Sequence, residues 1–251
     1  MSKAPVDAVE TSLRILETLE EAGPCSVTGL AERLDRPKAT VHYHLKTLER
    51  HRYVVGTPDG YEVGLRVLEL GGRVRNRHRA TEIVEPNLQR LGAETNEMAV
   101  FAVEEHESAV ILGLERPPGL ETAVDVTVGM HLPLHCSAVG KALLAQLPEG
   151  RRAEMLETCS LEAYTDETVA SEAALREQLA TIRSEGHAFD RGEFDPDIHS
   201  VASPVVDESD AVVGAIGIVG PASRLYSDRF THELPHLVER FAERVEYELR
   251  P

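Results

Sequence analysis

The feature that most constrains the fold of this chain is the order of three short helical patterns and one turn within residues 1–64. Apolar residues recur at spacings of three and four in each pattern, which is typical of amphipathic helices. The positions are Val6, Val9, Leu13, Leu16 and Leu19 in the first, Val27, Leu30, Ala31 and Leu34 in the second, and Val41, Leu45 and Leu48 in the third. Ser26 is placed to cap the second helix, and Pro37 lies at the first turn of the third.

The segment "YVVGTPDGYEVG" follows the third helix and predicts two short strands joined by a Pro-Asp-Gly turn. Three short helices, a tight turn between the second and third, and a hairpin together indicate a winged helix-turn-helix. We therefore predict a DNA-binding domain over residues 1–64.

Charge is distributed unevenly along the chain, which carries 43 acidic and 26 basic side chains and a net charge of −17. Residues 81–251 hold 32 acidic and 13 basic side chains, whereas residues 1–64 hold ten and eight. The stretch "RPKATVHYHLKTLERHRYV" holds one glutamate against five lysines and arginines and three histidines. The N-terminal third can therefore approach a polyanion more easily than the rest, and the basic stretch is explained best by docking on DNA.

A helical wheel of the third helix places its polar side chains opposite the apolar stripe. Residues near the start of such a helix reach base edges, and lysine and arginine neutralise phosphates. The predicted DNA contacts are Lys38, Ala39, Thr40, His42, Tyr43, Lys46 and Arg50, with Thr57 from the wing. His44 lies nearer the apolar stripe, where a structural role and a DNA contact are equally open. The alternative for the whole face is a solvated basic surface.

Residues 65–80 predict a helical linker that starts at Leu65 and is interrupted or closely packed at Gly71-Gly72. A seam of Leu65, Leu68 and Gly72 is a candidate dimer contact, and a homodimer or tetramer would suit two DNA half-sites. The arginines of this segment contribute to a solvated linker or ion pairs, or contact phosphates.

Residues 81–251 predict a mixed sheet with helices on its faces, so the fold class is α/β (α+β). Three strands are expected in "EMAVFAVEE", "SAVILGLE" and "ETAVDVTVG", and two more surround the acidic turn of "ASPVVDESDAVVGAIGIVGP". Helices are expected in "SAVGKALLAQL", capped by Ser137, in "ASEAALREQLATIRSEG" and at the C-terminus.

Several classes of protein do not fit the sequence. No apolar run approaches the ~20 residues that cross a bilayer, and the N-terminal segment lacks the continuous apolar core of a signal peptide, so we expect a cytoplasmic protein that contacts no membrane. The three cysteines are far apart, which argues against a disulfide framework. No catalytic motif occurs, and the adjacent His135 and Cys136 do not by themselves have the geometry of a catalytic pair, so we expect neither an enzyme nor a cofactor.

Two readings from composition stay open. A metal-sensing pocket built from His131, His135, Cys136, His187 and His199 is the alternative to structural roles for these side chains. Four lysines against 22 arginines on an acidic chain favour a halophilic host, with lineage bias as the alternative.

The sequence resembles the IclR family of transcription regulators over essentially its whole length. The resemblance depends on "PKATVHYHLKTL", "GYEVGLRVLELG", "LPLHCSAVGKALLA" and "GHAFDRGEFDPDIHSVASPVVDESDAVVGAIGIVGP". It implies a winged-helix domain, a dimerising linker and a GAF-like effector domain at residues 81–251, in a regulator of metabolic genes that binds a double-stranded DNA operator. Its small-molecule effector would be a carboxylate or a sugar-derived metabolite. The alternative from another class is a small-molecule or metal sensor that acts through protein contacts without binding DNA.

The resemblance also implies effector contacts. The backbone amides of Ala138 and Val139 would hold a carboxylate near the start of a helix, and Asp190 matches an aspartate of the family. Ser200 stands where some members have cysteine, and Gly217 and Val219 stand where those members have serine. The loss of these polar groups favours an effector that is larger or less polar than glyoxylate or pyruvate. Tyr43 stands where arginine is frequent, so a different operator sequence is expected.

Overall fold

The computed structural model describes residues 6–120 and 124–250. The chain forms two compact units that divide between Arg75 and Asn76. Each unit has its own apolar core, and each is described separately below.

The first unit contains the three helices and the hairpin that the sequence predicts. Its elements are α1 (Asp7–Ala22), α2 (Val27–Leu34), α3 (Lys38–Arg50), β1 (Val54–Thr57), β2 (Gly60–Val63) and α4 (Arg66–Arg75). Strands β1 and β2 pair antiparallel and form the wing.

The core of this unit confirms the predicted stripes of α2 and α3 but only the second half of that of α1, where Leu19 is buried and Leu16 packs against the core. Leu30, Val41 and Leu45 are fully buried. The buried residues of α1 are Thr11, Ile15 and Leu19, and the other predicted positions form a second apolar edge that is left exposed. That edge consists of Val6, Val9 and Leu13, at 57%, 55% and 54% exposure. Both edges have helical spacing, and only the packing of α2 and α3 decides which one is covered.

The wing is fixed to the turn that precedes α2. The N–H of Cys25 donates to the carbonyl of Tyr61 and the N–H of Tyr61 donates to the carbonyl of Cys25, each at 2.9 Å. Gly60 has a φ of +135°, and a Cβ there would lie 2.3 Å from the Cys25 oxygen. A side chain at position 60 would therefore separate the wing from the helices.

Helix α4 corrects the prediction for the linker, because it runs through Gly71 and Gly72 without interruption. Apart from the backbone of α4 and the two adjacent residues, no atom of the described residues lies within 4 Å of a Cβ built on either glycine, so neither packs closely against another element. Leu65 and Leu68 are 83% and 72% exposed.

The second unit combines helices with one six-stranded sheet. Its elements are α5 (Ala80–Thr95), β3 (Met98–Glu105), β4 (Ser108–Glu115), β5 (His131–Pro133), α6 (Ala138–Gln146), α7 (Glu149–Thr158), α8 (Glu172–Glu185), β6 (Ala188–Arg191), β7 (Ile198–Val206), β8 (Val212–Pro221) and α9 (Leu234–Leu249). A π-helical turn, Arg229–Glu233, leads into α9.

The sheet is antiparallel throughout, with the strand order β5-β4-β3-β8-β7-β6. Helices α5 and α9 cover one face, and α6 covers the other with α8 packed against it. Two apolar cores result, one on each side of the sheet, as in a GAF-like domain.

The predicted strand in "ETAVDVTVG" is a second correction. Its first three residues lie outside the described residues, and Val124–Val128 forms a loop whose Val124 and Val126 are buried. The edge strand is β5 instead, and β6 and α7 were not predicted. Within the described residues, no helix is both long and apolar enough to span a bilayer.

Candidate functional site

One face of α3 is anchored and the opposite face is open. Val41 and Leu45 are fully buried, whereas Tyr43 is 73% exposed. Among the other predicted contacts on this helix, Thr40 is half-buried. The remaining ones are exposed: Lys38, Ala39, His42, Lys46 and Arg50. A fixed apolar edge thus presents a polar, cationic face to solvent.

The cations of this face differ in what surrounds them. The Lys46 Nζ lies 2.8 Å from a Glu49 oxygen and 5.9 Å from the centroid of the Tyr61 ring. The Glu49 carboxylate raises the pKa of Lys46, so this ammonium is charged and connects α3 to the wing. Lys38 and Arg50 form no ion pair within the described part of the chain, which leaves both charges available.

The start of α3 is suited to an anion. Its N-cap is Pro37, which supplies no side-chain hydrogen bond, so the first N–H groups of the helix are open to a phosphate oxygen. His44 lies 2.8 Å from Ser12 Oγ through its Nδ1 and thereby connects α3 to α1, a structural role. Thr57 is half-buried, and its hydroxyl donates to the Gly60 carbonyl at 3.3 Å, closing the wing turn.

The second unit contains an enclosed cavity of about 180 Å³ between the sheet and the start of α6. Five of the six predicted effector contacts line it: Ala138, Val139, Asp190, Ser200 and Val219. Gly217 does not line it. The walls are mainly apolar side chains from β3, β4, β7 and β8 and from the loops beside them.

Strand register brings the polar floor of the cavity together. Asp190 on β6 pairs with Ser200 on β7, and Ser200 pairs with Val219 on β8, so the three lie in one row across the sheet. Gly217 pairs with Ala202 two rows further along the sheet, where a Cβ would be 2.6 Å from the Val201 oxygen. At that position close backbone approach, rather than contact with the cavity, requires glycine.

The N-terminus of α6 supplies free amides to the cavity. Ser137 Oγ accepts from the N–H of Gly140 at 3.1 Å, which confirms the predicted cap. The N–H groups of Ala138 and Val139 have no hydrogen-bond partner among the described residues, although both residues are buried. Two open donors at a helix N-terminus favour an anionic or acceptor group.

A buried network of charged groups lies behind this floor. Asp190, 4% exposed, accepts a hydrogen bond from the Glu193 N–H at 2.8 Å. The Glu193 carboxylate in turn pairs with the buried ammonium of Lys141 on α6, which also donates to Gln178 at 3.3 Å. Burial raises the pKa of Asp190 to about 7 and also raises the pKa of Glu193.

The neighbouring His135 and Cys136 do not form a reactive pair. Burial raises the pKa of the Cys136 thiol to about 12, so the thiol is neutral and not a nucleophile at ordinary pH. His135 Nε2 lies 3.0 Å from the Glu162 carbonyl, but its buried Nδ1 has no partner in the described part of the chain, so it is only half satisfied. No three His, Cys, Asp or Glu side chains in the described ranges are arranged to hold a metal ion.

Among the cavity residues that were not predicted as effector contacts, Asp125, Phe194 and Asp195 are acidic or aromatic and the others are mainly apolar. The run "GEFDP" directly after Asp190 and Arg191 was a signal for the last two, because a tight turn after a site residue returns to the site. Nothing in the sequence pattern placed Asp125, which lies in the loop read as a strand.

A winged helix-turn-helix with an exposed cationic helix, followed by a unit with an enclosed cavity, defines a ligand-responsive DNA-binding regulator. Residues 73–247 match the family described as bacterial transcriptional regulator IclR C-terminal, and residues 8–58 match the IclR helix-turn-helix domain. The chain belongs to the IclR family. Members of this family are transcription regulators and not enzymes, and they bind DNA operators and small-molecule effectors.

Similar proteins cover nearly the whole chain. The transcriptional repressor IclR of Escherichia coli is 32% identical over 90% of this chain and 84% of its own length. The HTH-type transcriptional regulator ArcR of Halobacterium salinarum is 29% identical over 97% of this chain and 94% of its own length. The crystal structure of an IclR homologue complexed with 4-hydroxybenzoate, from Microbacterium hydrocarbonoxydans, has a TM-score of 0.80 at 23% identity and covers 97% of this chain and 99% of its own.

Proposed function

We propose that this chain controls metabolic genes as a homodimer whose two α3 helices bind an operator and whose cavity binds a small effector. In this proposal residues 1–64 bind DNA, residues 65–80 dimerise and residues 81–251 sense the effector. The observation that carries the proposal is the exposed face of α3, opposite an edge that Val41 and Leu45 bury completely.

On the DNA, side chains near the start of α3 read base edges and the flanking cations contact phosphates. Ala39, Thr40, His42 and Tyr43 are the base readers in this proposal, because a recognition helix enters the major groove through its N-terminal residues. Lys38, Lys46 and Arg50 neutralise phosphates, and the wing around Thr57 lies along the backbone.

In the cavity, the amides of Ala138 and Val139 hold a carboxylate or the acidic end of a sugar-derived metabolite. Val219 leaves an apolar wall where a hydroxyl would otherwise stand, so the effector carries an apolar body. The Microbacterium hydrocarbonoxydans homologue was crystallised with 4-hydroxybenzoate, which supports an effector with a carboxylate and an apolar body. For effector binding to change DNA binding, the effector must bind more tightly to one relative arrangement of the two DNA-binding domains of the dimer than to another.

The dimer contact in this proposal is the apolar side of α4. Leu65, just before this helix, and Leu68 are 83% and 72% exposed and lie on the same side as Gly72, and such an exposed apolar surface is costly for a single chain. Light scattering of Leu68→Glu tests this contact, and we expect the variant to be a monomer. The matched control is Val128→Glu, which places the same charge at an exposed valine (46%) of the second unit and should still associate.

A regulator of chromosomal operators acts where the chromosome is, which is the cytoplasm in bacteria and archaea. The acidic surface is suited to a halophilic host, because molar salt shortens the Debye length to ~3 Å and so screens the repulsion between the surface carboxylates. The test of the proposal is footprinting of the full-length chain on the DNA upstream of its own gene, with and without cell metabolites. A protected palindrome of two half-sites supports the proposal, and the absence of protection at working salt contradicts it.

A further inference from the structure

The cavity of the second unit has an imbalance of charge. Three aspartates line it, the buried Asp190, the half-buried Asp195 and the exposed Asp125, whereas no lysine, arginine or histidine among the described residues does so. Asp190 is the most enclosed of the three, at 4% exposure. A ligand that carries only negative charge would lie against these carboxylates without a side-chain cation to offset the repulsion.

The same cavity also contains groups that favour a carboxylate. The N–H groups of Ala138 and Val139 point from the start of α6 and have no partner among the described residues. One enclosed space thus combines two donors at a helix N-terminus with an acidic floor. Because the two ends attract opposite charges, a ligand with both charges satisfies both.

The acidic floor has unused acceptor capacity. The Asp190 carboxylate accepts backbone hydrogen bonds from Glu193 and Phe194, which leaves further lone pairs for a ligand donor. Its cross-strand partner Ser200 is half-buried, and its hydroxyl has no partner in the described part of the chain. An ammonium has three donors and no acceptor, so it matches this pair of oxygen-bearing side chains.

The remaining walls fix the size of the ligand. They are formed by apolar side chains that include Val100, Ile111, Val126, Met130, Leu132 and Ile198. A space of about 180 Å³ is somewhat larger than a cavity that holds benzene, ~150 Å³, and accepts a branched aliphatic group of a few carbons.

We propose that the effector is a zwitterion, an α-amino acid with a small aliphatic side chain. Its carboxylate binds the amides of Ala138 and Val139, and its ammonium binds Asp190 and Ser200. The inference rests on the proposed function, because it takes this cavity to be the effector site.

The protonation of Asp190 should also make the binding of the effector depend on pH. Burial raises the pKa of this carboxyl to about 7; the charged groups that act on it are Glu193, which raises the pKa, and Lys141, which lowers it. Asp125 and Asp195 line the same cavity, and the neutral thiol of Cys136 lies nearby. Above this pH the carboxylate is ionised and attracts an ammonium. Affinity for the zwitterion therefore rises from pH 6 to pH 8, whereas affinity for a simple anion falls.

Titration calorimetry of the full-length chain with three probes of one carbon skeleton tests the proposal. The probes are L-valine, 3-methylbutanoate, which lacks the ammonium, and isobutylamine, which lacks the carboxylate. We expect L-valine to bind at least about tenfold tighter than either of the others, since each loses one charged hydrogen-bonded contact. Asp190→Asn should weaken L-valine about tenfold or more and leave 3-methylbutanoate unchanged or tighter.

Two further variants keep the test decisive. Ser200→Ala leaves the carboxylate in place and should weaken L-valine about threefold to tenfold, so the proposal does not depend on the folding of a single variant. Asp210→Asn, at an exposed turn residue whose positive φ suits asparagine, should change nothing.

The proposal is overturned if 3-methylbutanoate binds as tightly as L-valine, if the Asp190 and Ser200 variants bind L-valine normally, or if L-valine does not bind. DNA binding, measured by footprinting of the same samples, separates this failure from that of the proposed function. A chain that protects its operator but does not bind L-valine contradicts the zwitterion alone. A chain that binds L-valine but no DNA contradicts the regulator alone.

Discussion

The ammonium of Lys141 and the carboxylate of Glu193 form an ion pair in which both side chains are buried, at 3% and 9% exposure. The N-terminus of α6 lines the cavity, and the pair joins this helix to the turn after β6. In that turn the N–H of Glu193 donates a hydrogen bond to Asp190. A second Glu193 oxygen is buried without a partner in the described part of the chain. The cavity floor therefore depends on a charge that only Lys141 neutralises among the described residues within hydrogen-bond reach.

Replacing Lys141 by methionine should destabilise the chain by about 3–5 kcal/mol, because the Glu193 charge is then buried and unpaired. Urea unfolding measures the loss. The matched control is Arg176→Met, which breaks the exposed pair with Glu172 and should cost less than about 1 kcal/mol. Equal losses in the two variants would show that the buried pair has no special role.

Tyr43→Ala should weaken operator binding about tenfold to hundredfold, since one base contact contributes ~1–3 kcal/mol. Tyr43 is 73% exposed, so its removal should leave folding unchanged. Fluorescence anisotropy with labelled operator DNA measures the affinity. Tyr226→Ala, at a tyrosine 72% exposed in the second unit, is the control and should bind normally. Normal binding by Tyr43→Ala would contradict the placement of α3 in the groove.

Lys38→Gln and Arg50→Gln should each flatten the salt dependence of operator binding. Each phosphate contact contributes about −0.9 to the slope of log affinity against log salt concentration, because it releases condensed counterions. The slope is measured by anisotropy over a series of salt concentrations. Arg183→Gln removes the same charge from an exposed position on α8 and should leave the slope unchanged. If the slope changed only in this control, Lys38 and Arg50 would not be the phosphate contacts.

The ionisation of Asp190 should make folding stability fall as the pH rises. Its pKa is about 7 in the folded chain against an ordinary value of 3.8, so the folded state binds more protons between these values. The stability that this group contributes is fully present below pH 3.8 and is lost as the pH rises through 7. In Asp190→Asn this loss is absent, and from pH 5 to pH 8 the variant should gain about 2–3 kcal/mol relative to the native chain.

Urea unfolding of both proteins at pH 5 and pH 8 measures the effect. The difference between the two proteins isolates Asp190, because all other titrating groups are the same in both. A difference that stays constant between the two pH values would mean that Asp190 is ionised throughout this range.

Local pattern was sufficient where one element carries the whole signal. The stripe of Val41 and Leu45 lies within one helix, so its spacing alone predicted which face of α3 is buried and which is exposed. On α1 the same reasoning was right for Leu19 but missed Ile15 and was wrong for the exposed edge around Val9. Two apolar edges have equal spacing there, and α2 and α3 select the one with Ile15. Local spacing cannot choose between faces that differ only in what packs against them.

The sequence by itself determined the segregation of charge, the winged helix-turn-helix and the run of strands and helices that follows, since each depends on composition or on residues a few positions apart. Only the tertiary structure decided the cavity. Asp190, Ser200 and Val219 meet through strand register, and Lys141 meets Glu193 across 52 positions of sequence. Register and burial arise from contacts between distant segments, so the charge balance inside the cavity follows from folding and not from any local pattern.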